Sequence, residues 1–140
     1  PRATRDFDLA LAASDFKTAM NLLVSAGFKQ NPVADDFKGV TIHHFEKGGI
    51  QIDLLIFADM AFQNSLLSRS TETVEIAGEK VSIGSPEDLV VTKLLGNRSR
   101  DLIDIESIHE KNPDLDVSYI RGWAQTFKIF DRLAKFDWLS

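Results

Sequence analysis

Two aspartates separated by one residue stand near the start of the chain, and their type and spacing could support chemistry. Asp6 and Asp8 belong to DFDLALA (residues 6–12), whose alternating pattern predicts a β-strand. Side chains at i and i+2 of a strand share a face, so the two carboxylates are expected to lie close together. The other face, predicted to be the core side, carries Phe7, Leu9 and Leu11. Such a pair needs either solvent or a cation beside it.

A third carboxylate stands in a later strand. The segment GVTIHHFEKGGIQIDLLIF predicts a hairpin with strands over 40–45 and 50–57 and a turn through 47–49. Asp53 lies in the second strand and is followed by four apolar residues, which indicates a central position. Three clustered carboxylates suit Mg²⁺ or Mn²⁺, and such ions activate attacking and leaving oxygens in phosphoryl or nucleotidyl transfer. A solvated strand edge is the plainer interpretation of Asp6 and Asp8.

The histidines favour structural roles. His43 and His44 are neighbours on a strand and therefore point to opposite faces, so one ion cannot readily bind both. A structural or surface role is also expected for His109.

The elements that must position these residues follow an α+β order. Ser14 is the predicted N-cap of a first helix that stops at Gly27, and 59–68 predicts a second. Residues 71–85 predict another hairpin, turning at Ala77 and Gly78. Three helices are predicted next: SPEDLVVTKLL, capped by Ser85; RDLIDIESIHEK, closed by Asn112 and Pro113; and a last one from Val117 to Phe136.

The last predicted helix carries an aromatic stripe. Its residues recur at helical spacing, which indicates a packing face. The face could pack on this domain, or form a homo-oligomer or partner interface. The stripe consists of Tyr119, Trp123, Phe127, Phe130 and Ala134.

Composition limits the classes of function. The chain has 140 residues, 26% charged and 44% apolar, and no cysteine. It also lacks an apolar run of the roughly 20 residues that a bilayer requires. We therefore expect a soluble, cytoplasmic protein with no membrane partner. The net charge of −5 argues against broad binding to phosphate backbones but not against a nucleotide pocket.

The motif TRDFDL on a strand, followed by a helix and then IDL on a later strand, resembles the nucleotidyltransferase superfamily with the DNA polymerase beta-like fold. The resemblance implies that Asp6 and Asp8 match the paired metal-binding acids and that Asp53 matches the third. It implies a mixed β-sheet core with flanking helices over 1–84, followed by C-terminal helices over 85–140 that pack on the core. An NTP would be the substrate.

The stretch VSIGSPEDLVVTKLLGNRSRDLIDI extends the resemblance to small bacterial members related to abortive-infection and toxin–antitoxin systems. It implies site roles for Lys93 and Asp101, with Arg98 and Arg100 near the phosphates. The plainer alternatives remain open: a commonplace helix lysine, a solvated arginine patch, and acids such as Asp101 and Asp104 that serve as helix N-terminal charges or salt-bridge partners.

Family members also carry a helix and a Gly-Gly or Gly-Ser turn before the paired acids, where this sequence has only residues 1–5. The sequence is therefore expected to be a fragment, or a chain that does not bind an NTP in the family manner. The first hypothesis is a metal-dependent nucleotidyltransferase that moves an NMP to an RNA, protein or small-molecule acceptor. The alternative is a noncatalytic binding module of the same fold, antitoxin-like or mediating an interaction.

Overall fold

The structure is a computed structural model that describes residues 6–70, 72–76 and 78–140. The chain is α+β, and it divides into two compact units, residues 1–60 and 61–140. The sequence predicted a boundary at residue 84, between a core and the C-terminal helices. That boundary stays a prediction.

A five-stranded mixed sheet forms the centre of the first unit. Its order is β1-β5-β4-β2, and β3 also pairs with β4. β1 runs parallel to β5, and the remaining pairs are antiparallel. The strands are β1 Asp6–Ala10, β2 Lys29–Gln30, β3 Asp35–Phe37, β4 Val40–Lys47 and β5 Ile50–Phe57. The helix α1, Phe16–Ser25, follows β1.

The predicted β4–β5 hairpin is present, although β4 continues to Lys47, beyond the predicted end at residue 45 and into the predicted turn. Gly48 and Gly49 form the connection with φ values of 55° and 81°, the left-handed conformations that a two-residue hairpin turn requires. Lys47 and Ile50 are therefore the first pair of the ladder, and the register continues residue by residue to Val40 and Phe57.

The two faces of this sheet differ in character. Phe45 and Leu54, both about 1% exposed, lie on the face where Phe16 of α1 contacts the His43 ring, 4.2 Å between centroids. The opposite face is divided. Its end near residues 40 and 57 is a buried apolar cluster, and its other end carries polar side chains. The buried residues at the apolar end are Val40, Ile42, Leu55 and Phe57.

Two details at the start of the chain correct the sequence-based expectations. Phe7 and Leu9 were expected to be core residues, but they are 46% and 41% exposed. In the part of the chain that the structure describes, β1 pairs with β5 alone, so it is an edge strand and its apolar face is incompletely covered. Ser14 is not the N-cap of α1, because it lies inside a short 3₁₀ turn, and Asp15 occupies the cap position without a side-chain hydrogen bond. The stop at Gly27 (φ 92°) is confirmed.

The second unit contains four helices and a hairpin. Its elements are α2 Met60–Arg69, which begins at the last residue of the first unit, β6 Glu72–Ile76, β7 Glu79–Ile83, α3 Pro86–Gly96, α4 Ser99–Lys111 and α5 Val117–Thr126. β6 and β7 pair antiparallel, as predicted, although Ala77 of the predicted turn lies outside the described residues. Ser85 caps α3 by accepting a hydrogen bond from the Asp88 amide, and Pro86 follows it, again as predicted.

The last helix is shorter than predicted. α5 ends at Thr126, and Lys128 adopts a φ of 58°, so the chain turns and continues in 3₁₀ segments over Phe130–Lys135 and Asp137–Leu139. The stripe is therefore not a single helical face.

Its first part packs within the unit, because the buried ring of Phe62 meets Trp123 and Phe127 edge-on at 5.0 and 5.4 Å. Phe130 is 43% exposed and lies beside the Arg121 guanidinium. A partner-binding role of the stripe stays a prediction.

Among the described helices, none has both the length and the apolar character needed for a membrane span.

Candidate functional site

The pairing of β1 with β5 determines where the three predicted acids lie. In the parallel register Asp8 is the partner of Asp53, and Asp6 is the partner of Gln51. Register partners and residues two apart share a face of a sheet. All three carboxylates therefore emerge on the same face of two adjacent strands, opposite α1. Asp8 is exposed, Asp6 is half-buried and Asp53 is 6% exposed.

Asp53 is held in place by two neighbours. His44 is its directly opposite partner on β4, and His44 Nδ1 lies 2.7 Å from Asp53 Oδ1. The Gln51 side-chain amide donates to the same oxygen at 3.0 Å. The second ring nitrogen of His44, Nε2, lies 2.7 Å from Oδ2 of Asp35 on β3. One imidazole thus links two carboxylates across three strands.

This arrangement favours the charged form of His44. A carboxylate can only accept a hydrogen bond, so both ring nitrogens must carry protons to satisfy both contacts. Burial by itself lowers the pKa of His44, but the hydrogen bonds and negative charges of Asp53 and Asp35 outweigh burial and raise that pKa above 6.5. The imidazolium therefore supplies a positive charge beside the carboxylates of Asp53 and Asp35.

The donor chemistry of this face suits a hard divalent cation, since Asp6, Asp8 and Asp53 offer carboxylate oxygens on one surface. Their spacing is less favourable. Within residues 6–70, 72–76 and 78–140, no three His, Cys, Asp or Glu side chains lie close enough to enclose a metal ion. Binding would require the carboxylates to draw together, and His44 competes for one oxygen of Asp53. The metal-binding role of the three acids stays a prediction.

The other histidines have aromatic surroundings. His43 lies against Phe16 on the face opposite His44, and burial, together with the charge of His44, lowers the pKa of His43. His109 stacks on Trp138 at 4.1 Å with nearly parallel rings. The geometry is that of packing residues in both cases.

Of the four site residues predicted in the second unit, Lys93 and Arg98 both contact Asp101. Lys93 on α3 reaches α4, where its Nζ lies 2.9 Å from Asp104 Oδ2 and 3.5 Å from Asp101 Oδ1. The Arg98 guanidinium donates two hydrogen bonds to the Asp101 carboxylate, from Nε at 2.8 Å and from Nη2 at 3.2 Å. Arg100 is exposed at the first turn of α4.

Asp101 is the centre of this group. Its side chain is fully buried, and its Oδ2 also accepts a hydrogen bond from the Arg98 backbone amide, so that it caps the start of α4. Burial raises the pKa of a carboxyl, but the hydrogen bonds and charges of Arg98 and Lys93 prevail and lower the pKa of Asp101. Salt-bridge and capping roles therefore account for these contacts, and site roles stay predictions.

A further polar network in the second unit was not anticipated. The Arg69 guanidinium lies 3.9 Å from the centre of the Tyr119 ring and pairs with Glu87 at 3.3 Å. The Tyr119 hydroxyl donates to the buried Asp88 and lies 2.9 Å from Ser65 Oγ. Burial and the Asp88 carboxylate raise the pKa of Tyr119 to about 12. These contacts join α2, α3 and α5, which makes the network a structural one.

The sequence did contain a signal for the His44–Asp53 pair. A two-residue turn at Gly48 and Gly49 pairs 47 with 50, and counting outward pairs 44 with 53. Asp35 follows the same rule, because a two-residue turn over 38 and 39 pairs Phe37 with Val40 and therefore Asp35 with Ile42, but this hairpin was not predicted.

Comparisons with known proteins give no assignment. No protein-family model matches the chain, and no significant match was found among curated proteins.

Proposed function

We propose that this chain is a metal-dependent nucleotidyltransferase of the small bacterial type related to abortive-infection and toxin–antitoxin systems. It would transfer an NMP from an NTP to a hydroxyl or phosphate of an acceptor. The supporting observation is the β1–β5 register, which puts Asp6, Asp8 and Asp53 on one face of adjacent strands. This is the arrangement that the resemblance to the DNA polymerase beta-like superfamily requires.

In this proposal Asp6, Asp8 and Asp53 hold Mg²⁺ or Mn²⁺, and Asp53 also accepts the proton of the attacking hydroxyl. The ion, when bound, neutralises negative charge on the phosphates of the NTP. His44 and Gln51 have a positioning role, because their hydrogen bonds fix one oxygen of Asp53 and leave the direction of its carboxylate defined.

Lys93 is proposed to bind phosphate, with Arg98, Arg100 and Asp101 beside it. Lys93 and Arg98 carry the positive charge that such a role needs, but both already contact Asp101. Phosphate binding by Lys93 would therefore require it to exchange a carboxylate partner for a phosphate oxygen.

A transfer assay tests the proposal. The full chain is incubated with Mg²⁺ or Mn²⁺ and each α-labelled NTP, alone and with cell lysate as the acceptor source. We expect incorporation of label that is lost in Asp53→Asn and in the double variant Asp6→Asn/Asp8→Asn. Asp36→Asn, an exposed acid on β3 of the same sheet, is the matched control and should remain active.

A second candidate is a noncatalytic binding module, and one observation favours it. His44 already contacts both Asp53 and Asp35, so Asp53 has a hydrogen-bonding partner without a metal ion. An NTP-dependent increase in melting temperature without transfer of label would support this candidate. The nucleotidyltransferase proposal would be contradicted if the chain showed no transfer of label and no thermal shift, and if wild type and Asp53→Asn behaved identically.

A further inference from the structure

A cleft of about 400 Å³ opens in the first unit, beside the side chains that hold Asp53. Its volume falls within the range of small-molecule sites, roughly 300 to 1,000 Å³. The residues that line it belong to β2, β3, β4, β5 and the loop from β2 to β3, and they include Lys29, Asn31, Val33, Asp35, Glu46 and Gln51.

The lining carries charges of both signs in a defined order. Lys29 is the register partner of Glu46, and Glu46 is in turn the partner of Gln51, so the three form a row across neighbouring strands. Asp35 is held by the ring of His44, which also lines the cleft. Among the described residues Lys29 forms no ion pair of its own. The cleft is therefore lined by a cation without an ion pair within the described chain, Lys29, and by the carboxylates of Asp35 and Glu46.

The polar walls are held by internal hydrogen bonds. Asn31 Oδ1 accepts a hydrogen bond from the backbone amide of Val33 at 3.0 Å, and the backbone amide of Asn31 donates to the backbone carbonyl of His44. Gln51 is fixed by its bond to Asp53, and Glu46 accepts from the Gly49 amide at 3.2 Å. A ligand would therefore meet polar groups that are largely positioned beforehand, which lowers the entropy lost on binding.

We propose that this cleft binds a small zwitterionic molecule of the amino-acid type, with its carboxylate toward Lys29 and its ammonium toward Asp35 and Glu46. Charge complementarity selects this class. A phosphate ester would meet two carboxylates, and a simple cation would meet Lys29. Val33, 68% exposed, offers apolar surface for the ligand's side chain. The proposal does not depend on nucleotidyl transfer.

Titration of the ¹⁵N-labelled full chain, followed by NMR, tests this site. The probes are L-leucine and L-glutamine, together with N-acetyl-L-leucine, which lacks the ammonium, and L-leucinamide, which lacks the carboxylate. We expect the free amino acids to shift the amide signals of residues 29–35 and 44–51. Each single-charge analogue should bind about tenfold more weakly, because one charge-assisted contact is lost.

The matched variants are Lys29→Met and Lys38→Met, which remove exposed lysines from the same unit. Lys29→Met should weaken amino-acid binding about tenfold and Lys38→Met should leave it unchanged. Both variants should retain the dispersed spectrum of the folded chain. The proposal is overturned by an absence of shifts at these residues in the folded chain, by equal binding of the analogues, or by tighter binding of AMP than of the amino acids at the same signals.

Discussion

His44 is the residue that links the carboxylates of Asp53 and Asp35. Its two ring nitrogens lie 2.7 Å from carboxylate oxygens of Asp53 and Asp35, and its side chain is 16% exposed. Since the folded state raises the pKa of His44, protonated His44 stabilises the fold fully below its ordinary pKa of 6.5. That stabilisation is lost as the pH rises through the folded-state pKa.

We therefore predict that the first unit loses stability on going from mildly acidic to alkaline solution, in part because His44 deprotonates. His44→Gln should reduce this pH dependence, whereas His109→Gln, which removes a ring stacked on Trp138, should not. Urea unfolding followed by the NMR signals of β4 and β5, between about pH 5.5 and 8.5, measures the effect. An identical slope in His44→Gln and wild type would contradict the assignment.

Asp101 offers a second prediction at the scale of single residues. Asp101→Asn should lower the free energy of unfolding by about 3 kcal/mol, because it leaves buried positive groups without their carboxylate. Asp104→Asn removes a 38% exposed partner of the same lysine and should change stability by less than about 1 kcal/mol.

Chemical denaturation of both variants at neutral pH makes the comparison. Because the folded state lowers the pKa of Asp101, its contribution is present above the ordinary value of 3.8 and is lost on acidification below it. The difference between Asp101→Asn and wild type should accordingly shrink in acid. Equal effects of the two substitutions at neutral pH would show that Asp101 is not the centre of the group.

At the scale of elements, two helical glycines make a matched pair. A Cβ at Gly96, the last residue of α3, would lie 2.6 Å from Asp101 Oδ2, whereas a Cβ at Gly122 inside α5 would meet no atom within 4 Å. Gly96→Ala should therefore destabilise the chain by about 1 to 3 kcal/mol. Gly122→Ala should stabilise it by about 0.5 to 1 kcal/mol, because alanine favours the helix.

Thermal unfolding by circular dichroism distinguishes the two substitutions by the sign of the change in melting temperature. A rise for Gly96→Ala would mean that the Asp101 side chain moves aside without loss, and that the contact between α3 and α4 is looser than the distances indicate.

The elements differ in how far the sequence could predict them. Gly48 and Gly49 determine a turn and hence a register, and Ser85 with Pro86 determines a helix start, because these signals are local. The break at Lys128 was missed, since a lysine with positive φ leaves no pattern in the sequence. The exposure of Phe7 and Leu9 was missed because alternation does not reveal that a strand lies at an edge.

At the scale of the whole molecule, the sequence predicted an α+β chain with a mixed sheet and helices, and the structure confirms this much. The three acids were proposed as one cluster from their positions in two predicted strands, and the resemblance supported that proposal. The pairing of residues 6–10 with 51–55 joins segments more than forty positions apart. Local propensity does not encode such a pairing. The linkage of Asp35 to His44 was missed for a different reason: the residues are only nine positions apart, but the local turn between β3 and β4 was not predicted.

The net charge of −5 sets a further expectation for the whole chain. An unstructured 20-nucleotide RNA should bind no more tightly than about 100 μM at physiological salt, because the balance of charge gives little counterion release. Fluorescence anisotropy with labelled RNA measures this. Micromolar, salt-dependent binding would reveal a basic surface that compensates for the overall acidity, and it would favour an RNA acceptor.

Asp6, Asp8 and Asp53 are proposed to act together as a metal site on one face of the sheet. Titration of the ¹⁵N-labelled chain with paramagnetic Mn²⁺ tests this site itself. We expect selective broadening of the amide signals of residues 6–8 and 51–53, abolished in Asp8→Asn and in Asp53→Asn but retained in Asp36→Asn. Broadening that is absent from these residues, or that persists in both of the first two variants, would contradict it.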